Sequence, residues 1–328
     1  MAQVSEGDGA VKPEVRQLSV VIPTYHRESA LINCVQSILQ GSELPSEILI
    51  VGREGDKETE SALDSLGNGF QSKVSIRPAW VRISGHIPPI EMGLQLATND
   101  LIAFLDDDVT VSEDWMRTLL PDFADPSVGV VGGRVVVPGV PIPKLKGRPG
   151  LVSWYGKHWG NIASVQGEQA VLVDGVMECN WIWRSGLLRS LEFDPLLNFD
   201  DASMYGLDLC LQAQRNGFRV LYDPRVLVHH HIAPRTRELD RADRPRRIFA
   251  YCRNFTYIML NRLPWWRRPI FLAWWVMIGE RTGWGIGALV ADILLRGTGN
   301  DRHVVSSMHG KIEGARLWLK RSVRPSRL

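Results

Sequence analysis

From Leu18 to Val137 the sequence alternates short runs of Val, Ile and Leu with longer segments of helical spacing, and this rhythm constrains the fold more than any other feature. LSVVIP (18–23) leads into a helical pattern from Ser29 to Leu39, and EILIV (47–51) leads into a polar helix near Asp56. A strand around Val74 to Ile76 precedes PPIEMGLQLAT, a helix with Pro at its start. LIAFL (101–105) precedes SEDWMRTLL, which reads as a helix with a Ser cap and an acidic first turn, and VGVVGGRVVV closes the series. Runs this apolar are buried on both faces, so the pattern predicts an α/β fold with a mostly parallel central sheet flanked by helices. Ligands of such sheets bind beyond the carboxyl ends of the strands. That rule points to Pro23–Arg27, Gly52–Asp56 and Asp106–Asp108.

After Gly139 the pattern loosens into Gly- and Pro-rich loop. Order returns as a helix from Leu207 to Asn216, stopped by Gly217, then strands FRVLYDP and VLVHHH. With 328 residues, 45% hydrophobic and 23% charged, the chain can bury a large core and is not a disordered polypeptide. A net charge of +2 gives no reason to expect a nucleic-acid partner. Cys34, Cys179, Cys210 and Cys252 are scattered, which predicts free thiols and a reducing, cytoplasmic compartment. The polar opening, residues 1–16, lacks an apolar signal core and is expected to be flexible.

The sharpest chemical signal is FLDDDV. Three adjacent carboxylates at the end of a buried strand repel one another and lose hydration, so packing alone does not keep them. A hard divalent cation, Mg²⁺ or Mn²⁺, resolves the repulsion and favours carboxylate oxygens together with phosphate. The bland alternative is an acidic turn before SEDW, which the wholly apolar strand makes the weaker reading.

VIPTYHR, FLDDDV, and YGLDLCLQAQRNGF followed by Pro224-Arg225-Val226-Leu227-Val228-His229-His230 stand in one unbroken order over residues 17–235. Together they resemble the inverting family 2 glycosyltransferases of GT-A fold. The resemblance implies a Rossmann-like nucleotide-binding half and a helical C-terminal extension. It also implies transfer of a sugar from a nucleoside-diphosphate donor, UDP-linked by default, to a carbohydrate or lipid-linked acceptor hydroxyl, as in cell-surface polysaccharide or glycolipid synthesis. By the same resemblance Pro23, Thr24 and Arg27 belong to the donor pocket, and Asp106 and Asp108 are metal and diphosphate ligands with Asp107 beside them. Asp208 is the general base, with Asp200 and Asp201 as nearby alternatives. His230 completes the metal site, with His229 and His231 as rivals, and Arg253 with Asn254 contacts the diphosphate.

The chain departs from the family pattern in two places. The second-strand loop reads Gly52-Arg53-Glu54-Gly55-Asp56, where Asp56 is the carboxylate left to grip the base, and the usual Glu-Asp pair before the late helix is replaced by Tyr205-Gly206. Gly132, Gly133, Asn180 and Trp181 are expected on the acceptor side, Trp181 either stacking on a sugar or filling the core. Residues 236–328 form an Arg- and Trp-rich helical region. Its apolar run is broken by Glu280, Arg281 and Asp292, which argues against a span. Trp265, Trp266, Trp274, Trp275 and Trp284 beside Arg262, Arg267 and Arg268 suggest contact with the inner face of the cell membrane instead. The basic tail, from Arg302 through Lys311 and Arg321 to Arg327, reads as a solvated or phosphate-contacting end.

Three rivals remain on the sequence alone. Asp106-x-Asp108-Val109-Thr110 also fits a haloacid-dehalogenase-type phosphatase, whose motif ends the first strand of its domain. A sugar-nucleotide pyrophosphorylase lacks its Gly-rich loop here. The missing Glu-Asp pair leaves a catalytically silent nucleotide-sugar scaffold.

Overall fold

The computed structural model of the protein describes residues 18–70, 74–142, 144–200, 202–232, 243–280, 282–296 and 302–323. The flexible segment expected at 1–16, and Asp201, Arg281 and Arg327, lie outside the described residues. Four strands, β1 (Leu18–Pro23), β2 (Glu47–Arg53), β3 (Ser75–Val81) and β4 (Leu101–Leu105), pair in parallel in the order β3-β2-β1-β4. The short β5 (Val109–Val111), β6 (Val128–Val136), β7 (Val171–Leu172), β8 (Asn180–Arg184) and β9 (Arg219–His230) extend the sheet as β4-β8-β6-β9-β5, with β7 also on β9. The sheet is mixed and mostly parallel, because β5, β7 and β8 run against the other strands.

The strands alternate between two cores, which is why their sequences read as unbroken apolar runs. Leu18, Val20 and Ile22 face one core while Val21 faces the other, and Ile48 and Ile50 likewise oppose Leu49 and Val51. Over the first face lie α1 (Glu28–Leu39), α2 (Lys57–Phe70) and α4 (Trp115–Leu119). Over the second lie α3 (Ile87–Leu96), α5 (Ser185–Ser190) and α6 (Tyr205–Arg215). Two local expectations change. SEDWMRTLL contributes only the five residues of α4, and Ser112 supports it through its backbone carbonyl to Trp115 N–H (2.9 Å), not through a side-chain cap. The two late strands are one, β9, whose register against β6 shifts near Pro224.

The C-terminal region folds as α7 (Arg244–Arg262), α8 (Arg268–Met277), the hairpin β10 (Gly279–Glu280) and β11 (Gly283–Trp284), α9 (Ile286–Arg296) and α10 (Arg302–Val323). Its apolar face merges with the second core: Phe255, Ile258, Phe271 and Trp275 join one cluster with Trp181 and Leu207. Helix α10 packs tightly on α7 because a Cβ at Gly310 or Gly314 would stand 2.4 Å from Phe249 O or 2.3 Å from Arg253 O. Trp275 is therefore core, its indole N–H donating to Thr256 Oγ1 (2.8 Å), whereas Trp265 and Trp266 are 77% and 49% exposed. The basic tail is not uniformly solvated either. Lys311 is buried and donates to the carbonyls of Trp275, Gly283 and Trp284, and Arg321 pairs with Glu192 and Asp194. Among the described residues no helix is long and apolar enough to cross a membrane.

Candidate active site

The carboxyl ends of β1, β2 and β4 open onto a cleft, where such sheets bind their ligands. One wall carries Pro23, Thr24, Tyr25 and Arg27, a second Gly52, Arg53, Ile83 and His86, and the floor Asp106, Asp107 and Asp108. Glu178, Tyr205 and His230 close the remaining side. Arg53 lies over the Tyr25 ring, 5.1 Å from its centroid, which gives that wall a cationic and aromatic surface.

Asp106 and Asp108 meet His230 because the chain reverses directly after the acidic run. Strand β5 pairs antiparallel with the end of β9 and sets Val109 opposite His230. His230 Nε2 stands 2.9 Å from Asp108 Oδ1 and 4.0 Å from Asp106 Oδ2, and one ligand atom from each residue lies within 4.8 Å of the others. Two carboxylates and an imidazole suit Mn²⁺ or Mg²⁺. The register also separates the three histidines: His229 lies opposite Thr110, and His231 Nε2 bonds Thr110 Oγ1 at 2.9 Å. Only His230 of the three joins the acidic pair.

Asp107 turns to the other side. It accepts from Thr24 Oγ1 (2.9 Å) and Arg27 Nη1 (2.7 Å), and the same nitrogen reaches Asp108 Oδ2 at 3.3 Å. Burial pushes the Asp107 carboxyl up to about 6 against the pull of Arg27. Burial likewise raises Asp106, and the Asp108 charge beside it adds to the effect. Both shifts express first the lost hydration and then the repulsion foreseen for the acidic run, and a cation there would relieve both.

Several expected site residues have other work. Asp56 is buried; it accepts from His26 N–H (2.8 Å) and from Thr59 N–H and Oγ1, capping α2 and holding the first loop rather than lining the cleft. Asp208 is also absent from the cleft wall. Arg262 Nε and Nη2 grip its two oxygens at 2.6 and 2.7 Å, and Gln212 Nε2 adds 2.9 Å, so its lone pairs face α7. Arg253 donates to Leu196 O and Asn254 Oδ1 and lies over Phe199, while Asn254 donates to Leu197 O and Ser203 O. These two brace the loop before α6 and do not reach the cleft. Trp181 is fully buried against Phe104, Trp183 and Tyr205, Gly132 faces Val176, and Gly133 is pressed by Asn180 and Val226. Arg246 pairs with Asp200, which removes that carboxylate as well.

Conversely, Glu178 and His86 line the cleft with no motif to mark them, and Arg53 and Tyr205 join them from segments whose motifs gave neither a role. Residues Asp200, Ala202 and Met204 adopt left-handed φ of 57°, 49° and 72° on the approach to α6. Strain of that kind is concentrated at functional sites and costs on the order of 1–3 kcal/mol per residue.

A mixed sheet opening at its carboxyl strand ends onto an Asp-x-Asp-His floor defines a GT-A fold. Residues 19–173 match the family described as Glycosyl transferase family 2. The chain is 29% identical over 224 residues to the pre-mycofactocin glycosyltransferase of Mycobacterium tuberculosis, covering 66% of this chain and 43% of that protein. It is 30% identical over 123 residues to the glucosyl-dolichyl phosphate glucuronosyltransferase of Haloferax volcanii, covering 37% and 38%. The chain thus spans less than half the length of these curated relatives. Among solved structures, the mannosyltransferase PcManGT of Pyrobaculum calidifontis, in complex with GDP-Man and Mn²⁺, aligns at TM-score 0.58 and 16% identity over 94% of this chain and 88% of that one. The TarS fragment of S. aureus in complex with UDP-GlcNAc aligns at 0.55 and 15% over 78% and 70%.

Proposed function

We propose that the protein transfers a sugar from a nucleoside-diphosphate donor to an acceptor hydroxyl, with inversion at the anomeric carbon. The observation that carries this reading is the convergence of Asp106, Asp108 and His230 on the floor of the cleft. Those three residues would hold Mn²⁺ or Mg²⁺, which supplies charge against the departing diphosphate. Thr24 and Arg27 shape the adjoining wall, with Asp107 fixing both in place. Arg53 and Tyr25 offer a cation and a ring to the nucleotide, and UDP is the default base. A single displacement on a donor held by one face inverts the configuration.

We place the acceptor among carbohydrates or lipid-linked sugars of cell-surface polymers or glycolipids. The exposed apolar face supports a membrane location: Ile286, Val290, Ile293 and Leu294 recur on one side of α9, with Met277 and Ile278 at the end of α8 and Trp265 and Trp266 before it. The test is a panel of UDP-glucose, UDP-N-acetylglucosamine and GDP-mannose with Mn²⁺, scored for release of nucleoside diphosphate. Release that depends on the metal supports the reading. Turnover of phosphomonoesters without nucleotide release overturns it in favour of the phosphatase.

A further inference from the structure

With Asp208 gripped by Arg262, the acceptor proton needs another base, and the cleft wall offers one. Among the described residues four carboxylates line the cleft: Asp106, Asp107, Asp108 and Glu178. Asp106 and Asp108 stand with His230, and Asp107 is engaged by Thr24 and Arg27. Glu178 comes from the loop before β8 and stands against the first turn of α6, where Gly206 N–H donates to its Oε1 at 3.1 Å. Gly206 makes room for it. A Cβ at that position would meet Glu178 Cγ and Oε1 at 2.6 Å and Cδ at 2.8 Å. Gly206 is helical and shows no left-handed φ, so the nearest obstacle to a side chain there is the glutamate and not the backbone conformation. The glycine is therefore a vacancy filled by a carboxylate from another segment, one that the helix N-terminus orients.

We propose that Glu178 is the general base of the transfer, an assignment that rests on the glycosyltransferase reading above. The acceptor O–H gives its proton to the Glu178 carboxylate as its oxygen bonds to the anomeric carbon. The bond from that carbon to the β-phosphate oxygen breaks, and the electron pair leaves with the nucleoside diphosphate. Tyr205 lines the same wall beside Glu178.

The test uses whichever donor of the three-sugar panel the wild type turns over. A general base contributes about 10²–10⁴-fold, so Glu178→Gln lowers kcat for nucleoside diphosphate release by at least ~100-fold. Affinity for the nucleotide with Mn²⁺ stays within about threefold, because the residue is outside the metal cluster. The double variant Glu178→Ala with Gly206→Asp carries a carboxylate into the same space and regains at least ~10-fold over Glu178→Ala alone. Wild-type turnover in Glu178→Gln overturns the assignment. So does a double variant that binds nucleotide normally yet is no faster than Glu178→Ala, or a loss confined to His86→Gln, which moves the base to that side of the cleft. A wild type that releases nothing from any of the three donors instead overturns the transferase reading itself.

Discussion

Replacing Asp208 separates a structural carboxylate from a catalytic one. Its side chain and that of Arg262 are 3% and 14% exposed, and the pair makes two parallel hydrogen bonds of 2.6 and 2.7 Å. Such a pair adds little over an apolar contact, but removing one partner leaves a buried guanidinium unmatched and costs about 3–5 kcal/mol. The slight exposure of Arg262 favours the lower end, and Asn keeps one acceptor for Nε. Asp208→Asn should therefore lose about 3 kcal/mol, roughly a hundredfold in the folded-to-unfolded ratio. The melting temperature should fall by roughly 4 °C, read by calorimetry or by near-ultraviolet circular dichroism. Assayed well below that temperature, the variant should keep kcat within about threefold, since a lost base would cost 10²-fold or more. An Asp208→Asn protein that melts with the wild type but turns over a hundredfold more slowly refutes the argument and restores Asp208 as the base.

Asp108→Ala should weaken nucleotide binding in Mn²⁺ by more than about tenfold while leaving metal-free binding unchanged, measured by titration calorimetry; equal losses in both would remove the cation site. His158 gives a pH signature. Burial holds its imidazole down from the usual 6.5 to about 4, so its contribution to stability is full above 6.5 and is lost as pH falls through 4. His158→Asn should flatten the acid limb of the stability curve between those values, and an unchanged limb would reassign it to other groups. Leu294 and Leu295 are 77% and 84% exposed; changing both to Ser should cut sedimentation with anionic phospholipid vesicles by about tenfold if that face meets lipid. Vesicle binding that is insensitive to this pair would place the membrane contact elsewhere.

The fold was legible because its evidence is periodic. Leu18–Pro23 and Leu101–Leu105 alternate between two buried faces, and that demand is written in the residues themselves. The acidic run was legible because adjacent carboxylates are too costly to be incidental. His230 could be narrowed only to a trio, since the choice depends on the register between β5 and β9. Pro23, Thr24 and Arg27 were expected in the donor wall and line it, but the base was not legible. Asp208 and Glu178 are both ordinary acids in sequence, and what separates them is 54 residues downstream in one case and a glycine in the other: Arg262 claims the first, and the gap at Gly206 admits the second. Asp56 misled for a related reason, because a carboxylate opening a helix caps it as readily as it binds a ligand.

The C-terminal helices belong to the same reasoning, for they determine what the catalytic half can do. A boundary at residue 235 divides motif from non-motif, but the physical contacts run across it. Arg262 neutralises Asp208 inside α6, Arg253 and Asn254 hold the carbonyls of Leu196, Leu197 and Ser203, and Tyr257 with Arg321 meets Asp194 at the head of that loop. The loop in turn touches the cleft through Asn198, which donates to Ser84 O and accepts from Ile87 N–H beside the cleft residue His86. The left-handed backbone at Asp200, Ala202 and Met204 persists because these partners over-determine it. Its end point is Tyr205-Gly206, the pair that frames Glu178. The wall opposite the acidic floor is thus set from across the boundary at residue 235, through helices that share the second core with it.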